Sequence, residues 1–205
     1  MSDIKSRIIN AALHLLLKHG PKSVTMDHIS EHCGISKRTL YEQFNDKNEL
    51  LTRCLDIISE EQKTIRKDLA EASKNAIEYI AASTKNTIEA SYRFNPNFFL
   101  ELKKYYPKIA EIQMNVLEEV FFTELHDTIA NGVKEGLFRE ELNIPLVVRL
   151  FKPQFEVIYY SDMLLKNNFS LPETINTLIF TFLRGIATAA GLEIVTRYEN
   201  EVTAG

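Results

Sequence analysis

Apolar residues recur along this chain with the 3.6-residue period of amphipathic helices, and no stretch alternates with a period of two for long. Ile4, Ile8, Ala11, Ala12, Leu15 and Leu16 form the first stripe, which Gly20-Pro21 ends. Thr25 stands three residues before His28 and four before Ile29, the place of a helix N-cap. Gly34 follows Cys33 as the stop of that short second helix. Ser36 caps a third short helix, Lys37 to about Phe44. A fourth starts at Asn45-Asp46 and runs to about Ala72, with Leu50, Leu51, Cys54, Leu55, Ile58 and Ile65 on its apolar side. Longer helices are predicted over 74–93, 96–105, 107–135, 145–166 and 172–198. Pro96, Pro107, Pro145 and Pro172 fall near their starts, where a missing N–H is tolerated. Pro153 lies inside a helical pattern and predicts a kink or a break near Arg149–Lys152. The predicted class is all-α: a three-helix helix-turn-helix domain over 1–51, then a C-terminal helical bundle over 52–205.

The second and third helices are joined by only a few residues around Gly34, the arrangement of a helix-turn-helix. Ile29, Cys33, Ile35 and Leu40 are placed to lock the pair together. The outward face of the third helix then reads Ser36, Lys37, Arg38, Thr39, Tyr41, Glu42 and Gln43. Cations, hydroxyls and an amide are the groups that meet phosphates and base edges, and an α-helix fits the major groove. Its N-terminus also offers N–H groups to a phosphate. Taken singly, each residue has a plainer role. Tyr41 can be an aromatic at the core edge, Lys37-Arg38 a solvated pair, and Lys47 a neighbour of Asp46 and Glu49.

Charge sharpens this picture. The 205 residues carry a net charge of −4, which argues against a uniformly basic surface. Residues 1–50 hold seven Lys/Arg and six Asp/Glu, whereas 51–205 hold 17 and 22, so a polyanion is expected to meet the N-terminal quarter. No apolar run approaches the ~20 residues of a membrane helix. Met1-Ser2-Asp3-Ile4-Lys5 lacks the pattern of a signal peptide, and Cys33 and Cys54 are too few for a disulfide framework. A cytoplasmic location is expected, and Asn168-Phe169-Ser170 is then a chance sequon. His28-Ile29-Ser30-Glu31-His32 matches H-x-x-E-H, but that pattern needs a distant third ligand and a cleft. No G-x-S-x-G, glycine-rich phosphate loop or Cys/His pair in a recognisable setting is present. Neither catalysis, a cofactor nor a metal is expected.

Residues 3–51 resemble the N-terminal domain of the tetracycline-repressor (TetR) family. The resemblance rests on Arg7-Ile8-Ile9-x-Ala11-Ala12-x-x-Leu15 with Gly20, and on Val24-Thr25-Met26-x-x-Ile29. It continues through Gly34-Ile35-Ser36-Lys37-x-Thr39-Leu40-Tyr41-x-x-Phe44 and Lys47-x-x-Leu50. It weakens after residue 60, although Gly185 resembles a glycine of the family's last helix. The resemblance implies a dimeric, ligand-responsive transcriptional regulator, usually a repressor. By it, Thr25 caps the second helix and touches phosphate. Ser36, Lys37, Thr39 and Tyr41 face DNA, and Lys47 meets the DNA backbone. Gln43 sits where His or Tyr is common, and an amide can bond an adenine edge in a bidentate way. Glu42 places an anion beside the groove, where it either accepts from a cytosine or points away.

Residues 52–205 are rich in aromatics, most of which must pack a core. Phe98, Phe121, Phe122, Phe155 and Tyr159 are the candidates to line a cavity for a small, largely apolar effector. Ile175, Leu178, Ile179, Phe182, Gly185, Ile186 and Ala189 form an apolar stripe with small residues, which reads as a two-fold homodimer interface. A central helix of a monomeric bundle would show the same stripe. Two recognition helices about one DNA turn (~34 Å) apart would read a palindromic operator in double-stranded DNA. Two other readings stand beside this one. The chain is a helical ligand carrier or enzyme with a vestigial motif, or a protein-interaction module that uses the helix-turn-helix.

Overall fold

The computed structural model describes residues 3–160 and 169–203. Among them lie ten helices: α1 (Asp3–His19), α2 (Met26–Cys33), α3 (Lys37–Gln43), α4 (Lys47–Ala72), α5 (Ala76–Ser91), α6 (Phe98–Tyr105), α7 (Pro107–Lys134), α8 (Ile144–Tyr160), α9 (Leu171–Ile186) and α10 (Ala189–Thr203). The class is all-α, as the periodicity predicts. The predicted 145–166 helix is seen as α8, and residues 161–168 lie outside the described residues.

The chain divides into two compact units, Met1–Lys63 with Tyr92–Val116, and Thr64–Ser91 with Leu117–Gly205. In the first, Ile8, Ile9, Ala12 and Leu16 of α1 pack with Ile29, Leu40, Phe44, Leu50, Leu51 and Cys54. Phe98 and Leu102 of α6 join the same core, so this packing unit is larger than the 1–51 segment drawn from the sequence. Burial pushes the Cys54 thiol up to about 12, which makes it a structural, unreactive side chain.

The second unit is built on Ile77, Ile129, Phe138, Phe151, Phe180, Leu183 and Val195. Here the single predicted helix over 172–198 is two. Ala187 is extended (φ −73°, ψ 151°), and it pairs with Phe138 in an isolated antiparallel bridge. Arg139 N–H donates to the Ile186 carbonyl at 3.0 Å, and Thr188 N–H donates to that of Leu137 at 2.9 Å. The Leu137–Arg139 backbone thus takes the groups that a continuous helix would use. Gly191 permits this approach, since a Cβ there would lie 2.2 Å from the Leu137 carbonyl oxygen. The break predicted near Pro153 is not found: α8 runs through it as one helix, with the proline on the exposed side.

Candidate nucleic-acid interface

Local hydrogen bonding fixes α2 and α3 end by end. Thr25 Oγ1 accepts from His28 N–H at 3.2 Å, which caps α2 as its spacing predicts. Gly34 closes the helix at φ 63°, in the left-handed region. Its N–H donates to the Glu31 carbonyl and that of Ile35 to Ser30, both at 3.0 Å, which is a Schellman turn. Ser36 Oγ then accepts from Thr39 N–H at 3.0 Å and starts α3 two residues later. Asp46 Oδ1 accepts from Glu49 N–H at 2.8 Å and starts α4.

The underside of this pair is closed. Ile29 and Leu40 are fully buried, and Cys33 and Ile35 pack half-buried against the same core. Thr25, Ser36, Lys37, Arg38 and Tyr41 are exposed, and Thr39, Gln43 and Lys47 are half-exposed. Tyr41 has 51% of its surface in solvent.

Each cation here has an internal partner. Lys37 Nζ meets Asp27 Oδ2 at 2.6 Å, and the Asp27 carboxylate, bonding and attracting it, raises the lysine pKa further. Arg38 Nε donates to Glu42 Oε1 at 3.0 Å. Lys47 Nζ donates to the Pro21 carbonyl at 2.5 Å and lies 5.2 Å from the centre of the Tyr106 ring. Tyr106 Oη donates to the same carbonyl at 3.3 Å. Exposed ion pairs of this kind contribute little to stability. The Lys47 contact was not foreseen, because its partner residue Tyr106 lies 59 positions along the sequence. The same loop is held a second time, where Lys22 N–H donates to Glu101 Oε2 at 2.9 Å.

His28 and His32 are exposed, and His32 stacks on His14 with ring centres 6.1 Å apart. Among the described residues no group of three or more His, Cys, Asp or Glu could hold a metal ion.

The effector candidates fall in both units. Phe121 and Phe122 meet edge to face at 5.3 Å in the second unit, where Phe121 also lies 6.2 Å from Phe151. Phe98 instead belongs to the first unit's core, 5.2 Å from Phe94 and 5.3 Å from Phe99. The side chains of Phe155 and Tyr159 lie outside the described residues, although both positions are on α8.

The interface candidates divide as well. Ile175 and Ile186 are buried in the second unit's own core, and Leu178, Ile179 and Phe182 pack half-buried against it. Gly185 and Ala189 are exposed. Sequence reasoning missed the outer face of α8. Leu146, Leu150 and Val157 are exposed there at i, i+4 and i+11, with Pro153 at i+7. That 4-3-4 apolar spacing was the available signal.

Two short capped helices around a Schellman turn, with an apolar underside and a polar outer face, define a helix-turn-helix DNA-binding unit. Residues 8–54 match the family described as bacterial regulatory proteins of the tetR family. The uncharacterized HTH-type transcriptional regulator YvaF of Bacillus subtilis (strain 168) is 24% identical over 172 residues, 83% of this chain and 90% of that one. Among solved structures, the TetR-family transcriptional regulator SCO4454 of Streptomyces coelicolor aligns with a TM-score of 0.68 at 17% identity, over 90% of each chain. The regulator FadR of Bacillus subtilis, in complex with stearoyl-CoA, aligns with a TM-score of 0.64 at 16% identity, over 88% of this chain and 98% of that one. Residues 8–54 thus carry a DNA-binding domain of the tetR type, and the rest of the chain shares the fold of these regulators. Among the described residues no helix is long and apolar enough to cross a membrane.

Proposed function

We propose that this regulator is a homodimeric repressor that grips a palindromic operator with α3 of each copy and lets go when a small, largely apolar molecule binds. The observation that carries the reading is the outer face of α3. Its apolar residues are spent on the core, and what remains outward is hydroxyl, amide, phenol, ammonium and guanidinium, with the Glu42 carboxylate paired to Arg38. Thr25, Ser36, Lys37, Arg38, Thr39, Tyr41 and Gln43 are the proposed DNA contacts. Lys47 joins them by exchanging the Pro21 carbonyl for a phosphate. Residues 1–51 are the proposed DNA-binding domain, and 52–205 bind effector and partner copy.

The exposed apolar residues Leu146, Leu150 and Val157 of α8 support the dimer, together with Gly185 and Ala189 on the exposed sides of α9 and α10. Effector binding is proposed in the second unit beside Phe121 and Phe122, with Phe155 and Tyr159 of α8 as further lining. Phe98 belongs to the first unit's core. The FadR complex with stearoyl-CoA supports an apolar ligand class. Such a molecule acts only through its different affinity for the bound and released states. A protein with genomic DNA as partner works in the cytoplasm.

Selection of random duplexes on the purified protein tests the reading. A palindrome with half-sites about one turn apart is expected. Tyr41→Ala and Lys37→Ala then weaken binding to it without unfolding the protein. No enrichment at low salt, from folded protein, would refute the reading.

A further inference from the structure

Arg38 and Glu42 occupy the ridge of α3 that points most directly away from the core. Each is two residues from the fully buried Leu40, which places them roughly 160° around the helix from it. Their side chains are 89% and 55% exposed, and Arg38 Nε donates to Glu42 Oε1 at 3.0 Å. A guanidinium carries five N–H donors in a planar fork. The bond to Glu42 uses the Nε–H and not the edge made by the two Nη groups. That edge matches the O6 and N7 acceptors of guanine in the major groove.

Neighbouring groups are less available for such a contact. Lys37 is tied to Asp27 of α2, and the Thr39 hydroxyl lies 2.9 Å from that of Ser36. Neither offers a planar pair of donors. Glu42 was open to two roles in the sequence, accepting from a cytosine or pointing away. In the structure its carboxylate turns to Arg38. There it fixes the plane of the guanidinium and cancels its charge, so Arg38 adds little to sequence-independent attraction for phosphate.

We infer that Arg38 selects a guanine in each operator half-site, with Glu42 as its positioning residue. The inference rests on the DNA-binding reading above. An exposed i,i+4 pair is weak in water, but it is stronger once the groove displaces solvent around it. One good bidentate contact is worth roughly 5- to 150-fold in discrimination against the wrong base.

The test is duplex selection on the full chain and on Arg38→Ala, Arg38→Lys and Glu42→Gln, with affinities for the selected site measured across a salt series. The wild type is expected to select a half-site with an invariant guanine. Arg38→Ala loses that preference by about tenfold or more and Arg38→Lys weakens it, both keeping the rest of the site. Lysine keeps the charge and can still donate to O6 or N7 but lacks the planar fork, so a phosphate contact would survive this change whole and a guanine contact only in part. Glu42→Gln flattens the same preference and steepens the salt dependence by about one, because an unneutralised cation now meets the backbone. A guanine preference retained in full in Arg38→Ala would overturn the assignment of Arg38. Unchanged preference and slope in Glu42→Gln would overturn that of Glu42. Those outcomes leave the repressor reading standing, whereas a wild type that selects no sequence removes both.

Discussion

The α2–α3 pair and helix α8 use their apolar residues in opposite ways. In the pair, Ile29, Leu40 and the following Phe44 are all turned inward, and the outer face is polar throughout. On α8, Val148 and Phe151 serve the core while Leu146, Leu150 and Val157 remain outside, with Leu150 62% exposed. The first surface is complete as it stands and suits a hydrated, charged partner. The second is an apolar ridge that suits a partner of its own kind. One chain thus carries two surfaces that differ in the force each offers a partner.

The largest effect should follow from opening the closed underside. Leu40→Ala is expected to cost about 2–5 kcal/mol, as a cavity at a fully buried leucine does. A thermal or urea melt reads this, and a loss below about 1 kcal/mol would mean that the underside is not the close-packed seam described. Next, Leu150→Glu should leave the folded monomer intact and raise the dimer dissociation constant by tenfold or more, about 1.4 kcal/mol. Sedimentation at several concentrations measures it, and an unchanged dimer would move the interface off α8. Thr25→Ala removes the α2 cap and should cost about 1 kcal/mol of stability. Equal melting curves for variant and wild type would show that this bond contributes nothing. The smallest change is expected for Lys47→Ala, which should lower the salt slope of operator binding by about one. If the slope stays the same, the lysine keeps Pro21 as its partner when DNA is bound.

How much of this was legible in the sequence follows the range over which each signal acts. The caps at Thr25 and Ser36 and the stop at Gly34 depend on residues three to five positions away, and all three were readable. Lys47 was readable as a cation and not as a partner of Pro21 and Tyr106, because periodicity does not say which helices meet. Phe98 and Phe121 look alike as aromatics on helices, yet they belong to different cores. The break at Ala187 was hidden for the same reason. Residues 172–198 carry an unbroken helical pattern, and the groups that interrupt it come from Leu137–Arg139. The small residues there were read as room for a second helix. In the structure, Gly191 makes room for the Leu137 carbonyl.

The central claim is that two copies of α3, held by a two-fold dimer, read one duplex. Hydroxyl-radical footprinting of the wild-type protein on its selected duplex tests it most directly. The account predicts two protected patches related by a dyad, their centres about one helical turn apart. A single patch, or protection that tracks every sequence equally, would contradict it.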